Sequence, residues 1–492
     1  MTGNDRVSSL HTRLLGFPGP KRKPKENPLD RSRRDPSSRG KEAACVRMID
    51  VPPDIAQSPG YRGAKEIVRR LREHDHTAYI VGGVPRDLLL GERPVDYDIA
   101  TDARPDTVRT LFPRTFAVGE QFGVVVVLLD NMPFEVATFR SDAEYIDGRR
   151  PVAVHFSSPR EDALRRDFTV NALMFDPLTR EVIDYVDGRR DLERRVIRTV
   201  GDPAHRFAED HLRLIRAVRF AARLDFALEE RTRAAIAPLA PMIARVAVER
   251  VADEILKILT GPRAGRALRL LADLGLLAHV LPEAQQMIGV QQPPNFHPEG
   301  DVFTHTCLML DLADRPSVTL ALGLLLHDIA KPQTQRCTPE RIRFDGHTEL
   351  GAEMAGRICR RLRLSRAITE RVEYLVLNHL RFKDAPNMRP ARLKRFLREP
   401  AFHELLELVR LDTLGSHGDL EAYEWIRAKM HELSQEQIAP PPLLTGRDLI
   451  AMGYRPGPLF KEILTQIETA QLDGEIATPE EARQFVAHHY PL

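Results

Sequence analysis

VDYDIAT, residues 95–101, sets two aspartates, Asp96 and Asp98, one residue apart in a half-apolar run. Read as a strand, positions i and i+2 share a face. The two carboxylates then sit side by side and repel unless a cation lies between them. A bare DxD is more often a solvated turn than a metal site, so the surrounding sequence has to decide.

Upstream, TAYIVGG reads as a short buried strand running into Gly82 and Gly83, and PRDLLLG as a helical turn closed by Gly91. A glycine turn at a strand end lets backbone N–H groups approach a phosphate. Arg86, beside Asp87, has the planar fork that clamps a phosphate in a bidentate manner. Downstream, FGVVVVLLD and MPFEVATFR read as two strands joined through Asp130 and Asn131. Glu135 in the second strand offers a third acid. SDAEYIDGRRPV after Arg140 is polar and reads as a mobile loop.

VGGVPRDLLLGERPVDYDIAT resembles the GG-x-x-RD…DxD signature of the polymerase-β-like nucleotidyltransferases. With RRDFTVNAL and EDHLRLIRAVRF following, the chain is similar to the class II tRNA CCA-adding enzymes and bacterial poly(A) polymerases over roughly residues 65 to 265. The resemblance implies two-metal nucleotidyl transfer, with Asp96, Asp98 and Glu135 at the Mg²⁺ ions and Gly82, Gly83, Arg86 and Asp87 around the triphosphate. Pro85 departs from the small aliphatic residue usual there and removes one backbone donor.

In AEDHLRLIRAVRF, Asp210, Arg213, Arg216 and Arg219 recur every three residues, which on a helix lines them along one face. Taken alone this is a solvated ion-pair face. The resemblance implies instead that Asp210 and Arg213 read the incoming base while Arg166, Arg216 and Arg219 contact the nucleotide. It leaves Arg165 in doubt, and gives Asn171, Glu249, Arg250 and Glu254 structural roles. Cytosine and adenine both present an amine donor beside a ring-nitrogen acceptor, which a carboxylate and an arginine satisfy. VGEQFGVVVV resembles the CCA-adding rather than the poly(A) type, and the 141–152 loop resembles a segment that CC-only relatives lack, so the implied partners are tRNA, CTP and ATP. A poly(A) polymerase or an A-adding enzyme is the alternative.

Beyond about residue 200 strand signals nearly vanish and apolar residues recur at three and four. This helical body carries His305, the HD pair His327–Asp328, His347, His379 and Asp412. Imidazole with carboxylate suits a transition metal such as nickel, manganese or cobalt. The order H…HD…H…H…D resembles the HD-domain metal phosphohydrolases, with Lys331 as a phosphate contact or a helix cap. A phosphohydrolase with a vestigial head is a further alternative; a fold kept as a tRNA scaffold with relict ligands is the plain one. PPLLTGRDLIAMGYRPGPLFKEIL reads as a helical tail whose Arg447, Arg455 and Lys461 either touch RNA or only flank a packed hairpin.

The expected fold is α+β: a polymerase-β-like head with a mixed sheet, then an all-helical neck and body including an HD domain. The expected divisions are a disordered basic tail over 1–55 (with Met48 as an alternative start), the head over 56–200, the neck over 201–265, the body over 266–435 and a helical tail over 436–492. A net charge of +2 over 492 residues excludes a uniformly basic nucleic-acid coat and confines RNA contact to local patches. Four scattered cysteines with no CxxC pair suit a reducing cytoplasm. No apolar run approaches a membrane span. Nothing in the sequence sets an oligomeric state.

Overall fold

The computed structural model describes residues 44–117, 123–142, 154–295, 297–339 and 341–492. The basic tract before residue 44, the first residues of VGEQFGVVVV and most of the 141–152 loop lie outside the described residues. The head contains an 8-stranded sheet built from β1 Cys45–Met48, β2 Ala78–Val81, β3 Asp98–Thr101, β4 Thr115–Ala117, β5 Val124–Leu129, β6 Met132–Thr138, β7 Met174–Asp176 and β8 Glu181–Asp184. Their order is β1-β8-β7-β2-β3-β6-β5-β4. The β3–β6 pair is parallel and every other pair antiparallel, so the sheet is mixed.

Side-chain alternation places the chemistry. Tyr97, Ile99, Phe134 and Val136 are buried on one face of β3 and β6 and in the segment leading into β3. Helix α1, Pro59–Glu73, packs there through two glycines. A Cβ at Gly60 would lie 2.7 Å from the Tyr97 ring, and one at Gly63 would overlap the Phe134 ring. The opposite face presents Asp98 and Glu135 beside a smaller apolar cluster that includes Val81, Ala100, Phe139 and Met174. β5 and β6 close through Asp130 and Asn131, with φ of 50° and 62°. Two consecutive left-handed residues match the right-handed twist of a hairpin, as the sequence leads one to expect.

Two expectations are corrected here. β3 begins at Asp98, so Asp96 stands just ahead of the strand and not within it. The alternation still holds, with buried Tyr97 between exposed Asp96 and half-buried Asp98. The tail over 1–55 is also not wholly unstructured: Cys45–Met48 pairs antiparallel with β8, and Pro53–Ala56 is a helical turn. A sheet edge gains from being paired, and a strand this short carries no readable period.

The neck and body are helical: α3 Pro203–Glu209, α4 Leu212–Leu224, α5 Val248–Leu259, α6 Ala264–Asp273, α7 Val302–Leu312, α8 Val318–Leu326, α9 His347–Arg361, α10 Arg366–Asn378 and α11 Phe402–Leu414. One contiguous apolar cluster runs from Ile55 to Ile438. Residues from Leu444 onward pack around their own centre, including Leu449, Ile463, Ile467 and Val486. Thr445 and Asp448 form a reciprocal capping box at the start of Gly446–Ala451. Arg447, Arg455 and Lys461 are all exposed. No helix among the described residues is long and apolar enough to cross a membrane.

The α6–α7 contact joins neck to body at Gly265, where a Cβ would overlap the Cys307 carbonyl oxygen. Backbone cannot yield as a side chain can, so Gly265→Ala is expected to destabilise the protein by about 2–3 kcal/mol. Thermal denaturation of the variant, compared with Gly446→Ala, where a Cβ would meet the Phe460 ring at an ordinary 3.6 Å, checks whether the loss is specific to the helix crossing.

Candidate active site and metal centre

Gly82 ends β2 with φ +75°, and a Cβ there would lie 3.1 Å from Asp98 Oδ2. The glycine turn thus passes directly over the acid. Helix α2, Gly83–Leu90, follows and is closed by left-handed Gly91. Pro85 is its third residue, where a backbone N–H has no intrahelical acceptor, so the proline leaves the helix ladder intact. The β3–β6 register pairs Ile99 with Val136; one residue earlier it brings Asp98 beside Glu135. Burial pushes the Asp98 carboxyl up to about 6, with Glu135 and Asp96 adding to the rise and Arg166 opposing it. Three acids converging with too little positive charge fit a divalent cation. The side chains Asp96, Asp98 and Glu135 are those that would hold such an ion.

Arg86 departs from the sequence reading. It is 2% exposed. Its Nε donates to Asp87 Oδ1 at 2.7 Å, its Nη1 donates to Asn171 Oδ1 at 2.6 Å, and its Nη2 lies 2.6 Å from Asp87 Oδ1. All three nitrogens are engaged, so Arg86 braces the glycine turn from below and is not an open phosphate clamp. Asn171 Nδ2 in turn donates to Asp167 Oδ1 at 3.3 Å, and Asp167 Oδ2 accepts two bonds from Arg216, at 2.7 and 2.9 Å. Burial works to raise the Asp167 carboxyl, but the Arg216 guanidinium outweighs it and holds it below the carboxylate range. Arg219 donates to buried Glu254 at 2.6 Å and lies 4.3 Å over the Phe220 ring. Arg166 is held by Asp162 at 3.0 Å and Arg165 pairs with the same acid at 2.7 Å. Asp167 is a partner that sequence reasoning missed, while Glu254, read there as structural, is the acid that holds Arg219.

Asp210 is not on the arginine helix. It sits in extended backbone at the α3–α4 junction, with α4 starting at Leu212. Its Oδ1 accepts the Leu212 N–H at 3.1 Å, and its carboxylate accepts two bonds from Arg250, at 2.7 and 3.3 Å. Arg250, read from sequence as structural, therefore holds the acid assigned to base selection. Arg213 donates to Glu209 at 2.5 Å and to the carbonyl oxygens of Arg206 and Arg165 at 2.9 and 3.3 Å.

The second centre gathers residues from five helical elements. His305 lies on α7, His327 and Asp328 follow α8, His347 opens α9, His379 follows α10 and Asp412 lies on α11. The Nδ1 atoms of His327, His347 and His379 face the carbonyl oxygens of Leu324, Phe344 and Val376 at 3.0, 2.7 and 2.7 Å. A carbonyl only accepts, so each Nδ1 donates and each Nε2 carries the lone pair. His327 Nε2 lies 3.0 Å from Asp328 Oδ2, and His347 and His379 Nε2 lie 3.6 and 3.9 Å from Asp328 Oδ1. Yet His327 Nε2, His347 Nε2 and Asp328 Oδ1 are buried without a hydrogen-bond partner. Lone pairs converging without protons between them fit a metal ion, with the backbone carbonyls fixing each ring.

Electrostatics divides the ring of histidines. Burial, then His327, pushes His379 down to about 4, which keeps it neutral. Burial also opposes charge on His305, but hydrogen bonds to Asp412 and Glu299 outweigh it and push it up to about 9. His297 and Glu299 were missed in sequence. Glu299 Oε1 lies 2.9 Å from His297 Nδ1 and 2.7 Å from His305 Nδ1. Their signal was HPEGD, immediately ahead of the helix that carries His305. Among the described residues, the metal-ligand groups that close to within 4.8 Å all lie in this body.

A mixed-sheet head with a glycine turn over paired acids, an arginine-lined neck and a histidine-rich helical body give the chain the domain layout of the poly(A) polymerase class. The family described as Poly A polymerase head domain matches residues 78–198. That described as Probable RNA and SrmB- binding site of polymerase A matches 225–288, and the HD domain matches 302–414. The CCA-adding enzyme of Geobacillus kaustophilus is 48% identical over 223 residues, 45% of this chain and 55% of that one. That of Bacillus pumilus is 49% identical over 206 residues, 42% of this chain and 51% of its own. The chain thus spans about half the length of the curated relatives it matches. The crystal structure of the Bacillus stearothermophilus CCA-adding enzyme in complex with CTP superposes with a TM-score of 0.67 at 30% identity, covering 88% of this chain and 98% of that one. The chain belongs to the CCA-adding enzyme family.

The raised Asp98 carboxyl has a measurable consequence. A carboxyl with a folded-state pKa of about 6 against an ordinary 3.8 binds its proton more tightly folded than unfolded, so its contribution to stability falls as pH rises through that window. Asp98→Asn is expected to raise the stability of the metal-free protein above pH 6 by about 1–3 kcal/mol. The gain should vanish near pH 4. Denaturant melts in a chelator at both pH values check it.

Proposed function

We propose that this protein adds or repairs the 3′-terminal CCA of tRNA without a nucleic-acid template, using CTP and ATP, in the cytoplasm. The observation that carries the reading is the Asp98–Glu135 pair on adjacent strands beneath left-handed Gly82. Mg²⁺, when bound there, favours the deprotonated 3′-hydroxyl and neutralises charge on the departing pyrophosphate. The protein's own part is positional. Gly82 and Gly83 keep the backbone free of side chains where the triphosphate must approach. Arg166, set against Asp98 and Asp162, supplies positive charge beside the acids.

Base choice falls to the α3–α4 junction. Asp210 accepts an exocyclic N–H and Arg213 donates to the adjacent ring nitrogen, a pairing that cytosine and adenine satisfy. Uracil and guanine invert it. RNA is held along the helical body by shape and backbone, which lets one enzyme serve every tRNA. A second reading concerns the HD centre. Its unpartnered Nε2 atoms favour a bound divalent metal, with nickel, manganese or cobalt suited to the donors, and hydrolysis of a phosphoester there.

Two experiments test this. Purified protein with Mg²⁺ is given tRNA lacking CCA, tRNA ending in CC, or an unstructured oligomer, with CTP, ATP or both. The expected product is CCA and then a stop, on tRNA only, lost in Asp98→Ala. Long A tails on any RNA would make it a poly(A) polymerase, and a single A confined to the CC-ending tRNA would make it an A-adding enzyme. Separately, Arg250→Ala is expected to lower the kcat/KM preference for CTP over UTP by about tenfold, as befits loss of one charge-assisted hydrogen-bond partner. Arg250→Lys should restore part of it. A uniform loss for all nucleotides would instead assign Arg250 to folding alone.

A further inference from the structure

Beside the HD centre lies a buried group that the metal ligands do not use. Gln292 is 3% exposed, and its Oε1 accepts from Lys331 Nζ at 2.6 Å. An ammonium only donates, so this contact fixes the amide orientation with oxygen toward the lysine. Nε2 is therefore turned away from Lys331. It is buried with no hydrogen-bond partner. Lys331 Nζ at the same time lies 2.6 Å from Asp328 Oδ2. Gln292, Lys331 and Asp328 thus form one chain that ends on the carboxylate at the centre of the ligand cluster.

A buried donor without an acceptor costs about 1–3 kcal/mol, and folds seldom carry one without use. The missing partner must be rich in acceptors. Lys331 has one N–H left beyond the two contacts above, and Gln292 Nε2 adds two more. The Lys331 ammonium also lies 5.1 Å from the Phe344 ring, which keeps its head group in place. A ligand with several oxygens and negative charge matches that donor set, and a carboxylate has fewer oxygens to share between the amide, the ammonium and a metal.

We infer that Gln292 Nε2 and Lys331 Nζ form a seat for the phosphoryl oxygens of a phosphate ester in the HD pocket. The inference rests on reading that pocket as a divalent-metal phosphoester site. The ester can belong to an RNA terminus or to a small metabolite; the oxygens recognised are the same.

The test uses the full chain loaded with Mn²⁺ and two probes, inorganic phosphate and a short RNA bearing a 3′-phosphate, with binding followed by calorimetry. Gln292→Met removes the amide at nearly constant volume. It is expected to weaken inorganic phosphate about tenfold, the effect of losing a hydrogen bond to a charged group, while Mn²⁺ affinity stays within twofold. Gln292→Leu likewise removes the amide without adding charge; it should lose phosphate as well, and decides the matter if the methionine variant does not fold. Weakening of both probes places the ester at an RNA end, and weakening of inorganic phosphate with no binding of the RNA places it on a small molecule; either supports the seat. Phosphate affinity unchanged in both variants, with Mn²⁺ still bound, overturns the seat and leaves the metal reading standing. Phosphate bound in a Gln292-dependent way without any Mn²⁺ affinity keeps the seat and removes the metal reading. Binding of neither overturns both.

Discussion

One hydrogen-bonded relay fixes the head against the neck. It runs from Arg86 through Asn171 and Asp167 to Arg216, then through Glu254 to Arg219. The first members brace the glycine turn; Arg216 and Arg219 lie on α4, whose first turn carries Arg213, and Glu254 lies on α5. A shift of α4 would strand Asp167 and Glu254 as buried carboxylates, a penalty of several kcal/mol each for an unpaired interior charge. On the proposed function, the relay sets where a base can lie relative to the phosphates. Phe220 reinforces it, with the guanidinium groups of Arg86, Arg216 and Arg219 within 5.6, 5.3 and 4.3 Å of its ring and Phe168 packed edge-on at 5.8 Å.

The two metal-type centres handle buried charge in opposite ways. In the head, acid faces acid, and Asp98 responds by holding its proton more tightly. In the body, burial alone would raise Asp328, yet the Lys331 ammonium 2.6 Å away helps hold its carboxyl well below the ordinary range. The head is thus short of positive charge. The body is already close to balance, with His305 held as a cation between Asp412 and Glu299. A cation entering the body must displace that proton, which makes its binding pH-dependent up to about 9, whereas in the head the competing Asp98 proton is gone above about 6.

Local pattern carried much of the fold in readable form. Alternation around Asp98 and Glu135, the Asp130–Asn131 turn, the glycine turn at Gly82 and the helical period beyond residue 200 each reflect a neighbour within a few positions. What stayed hidden depends on distant partners. Asp167 meets Arg216 across 49 positions, and Glu254 meets Arg219 across 35. No short window shows that Arg86 turns inward to Asn171, or that Arg250 reaches back to Asp210. The three-residue spacing of Asp210 and the arginines misled for a related reason. It suits one helix, but extended backbone at Asp210 ends α3 before α4 begins. Cys45–Met48 escaped notice because a four-residue edge strand is defined by the β8 backbone it pairs with, not by its own side chains.

The junction gains something from breaking the helix. A carboxylate has about four acceptor sites, and Asp210 has three filled, by Leu212 and twice by Arg250. About one remains. Arginine has about five donors, and Arg213 has three in use, on Glu209 and two carbonyl oxygens. About two remain. What is left over is one acceptor beside a small number of donors, held in place by everything already satisfied. That is the complement of an amine next to a ring nitrogen. A carbonyl next to an N–H would meet it with acceptor against acceptor, and no rotation of Asp210 could relieve the clash without surrendering Arg250. On the proposed reading of the junction, discrimination comes from the bonds Asp210 and Arg213 already make within the protein.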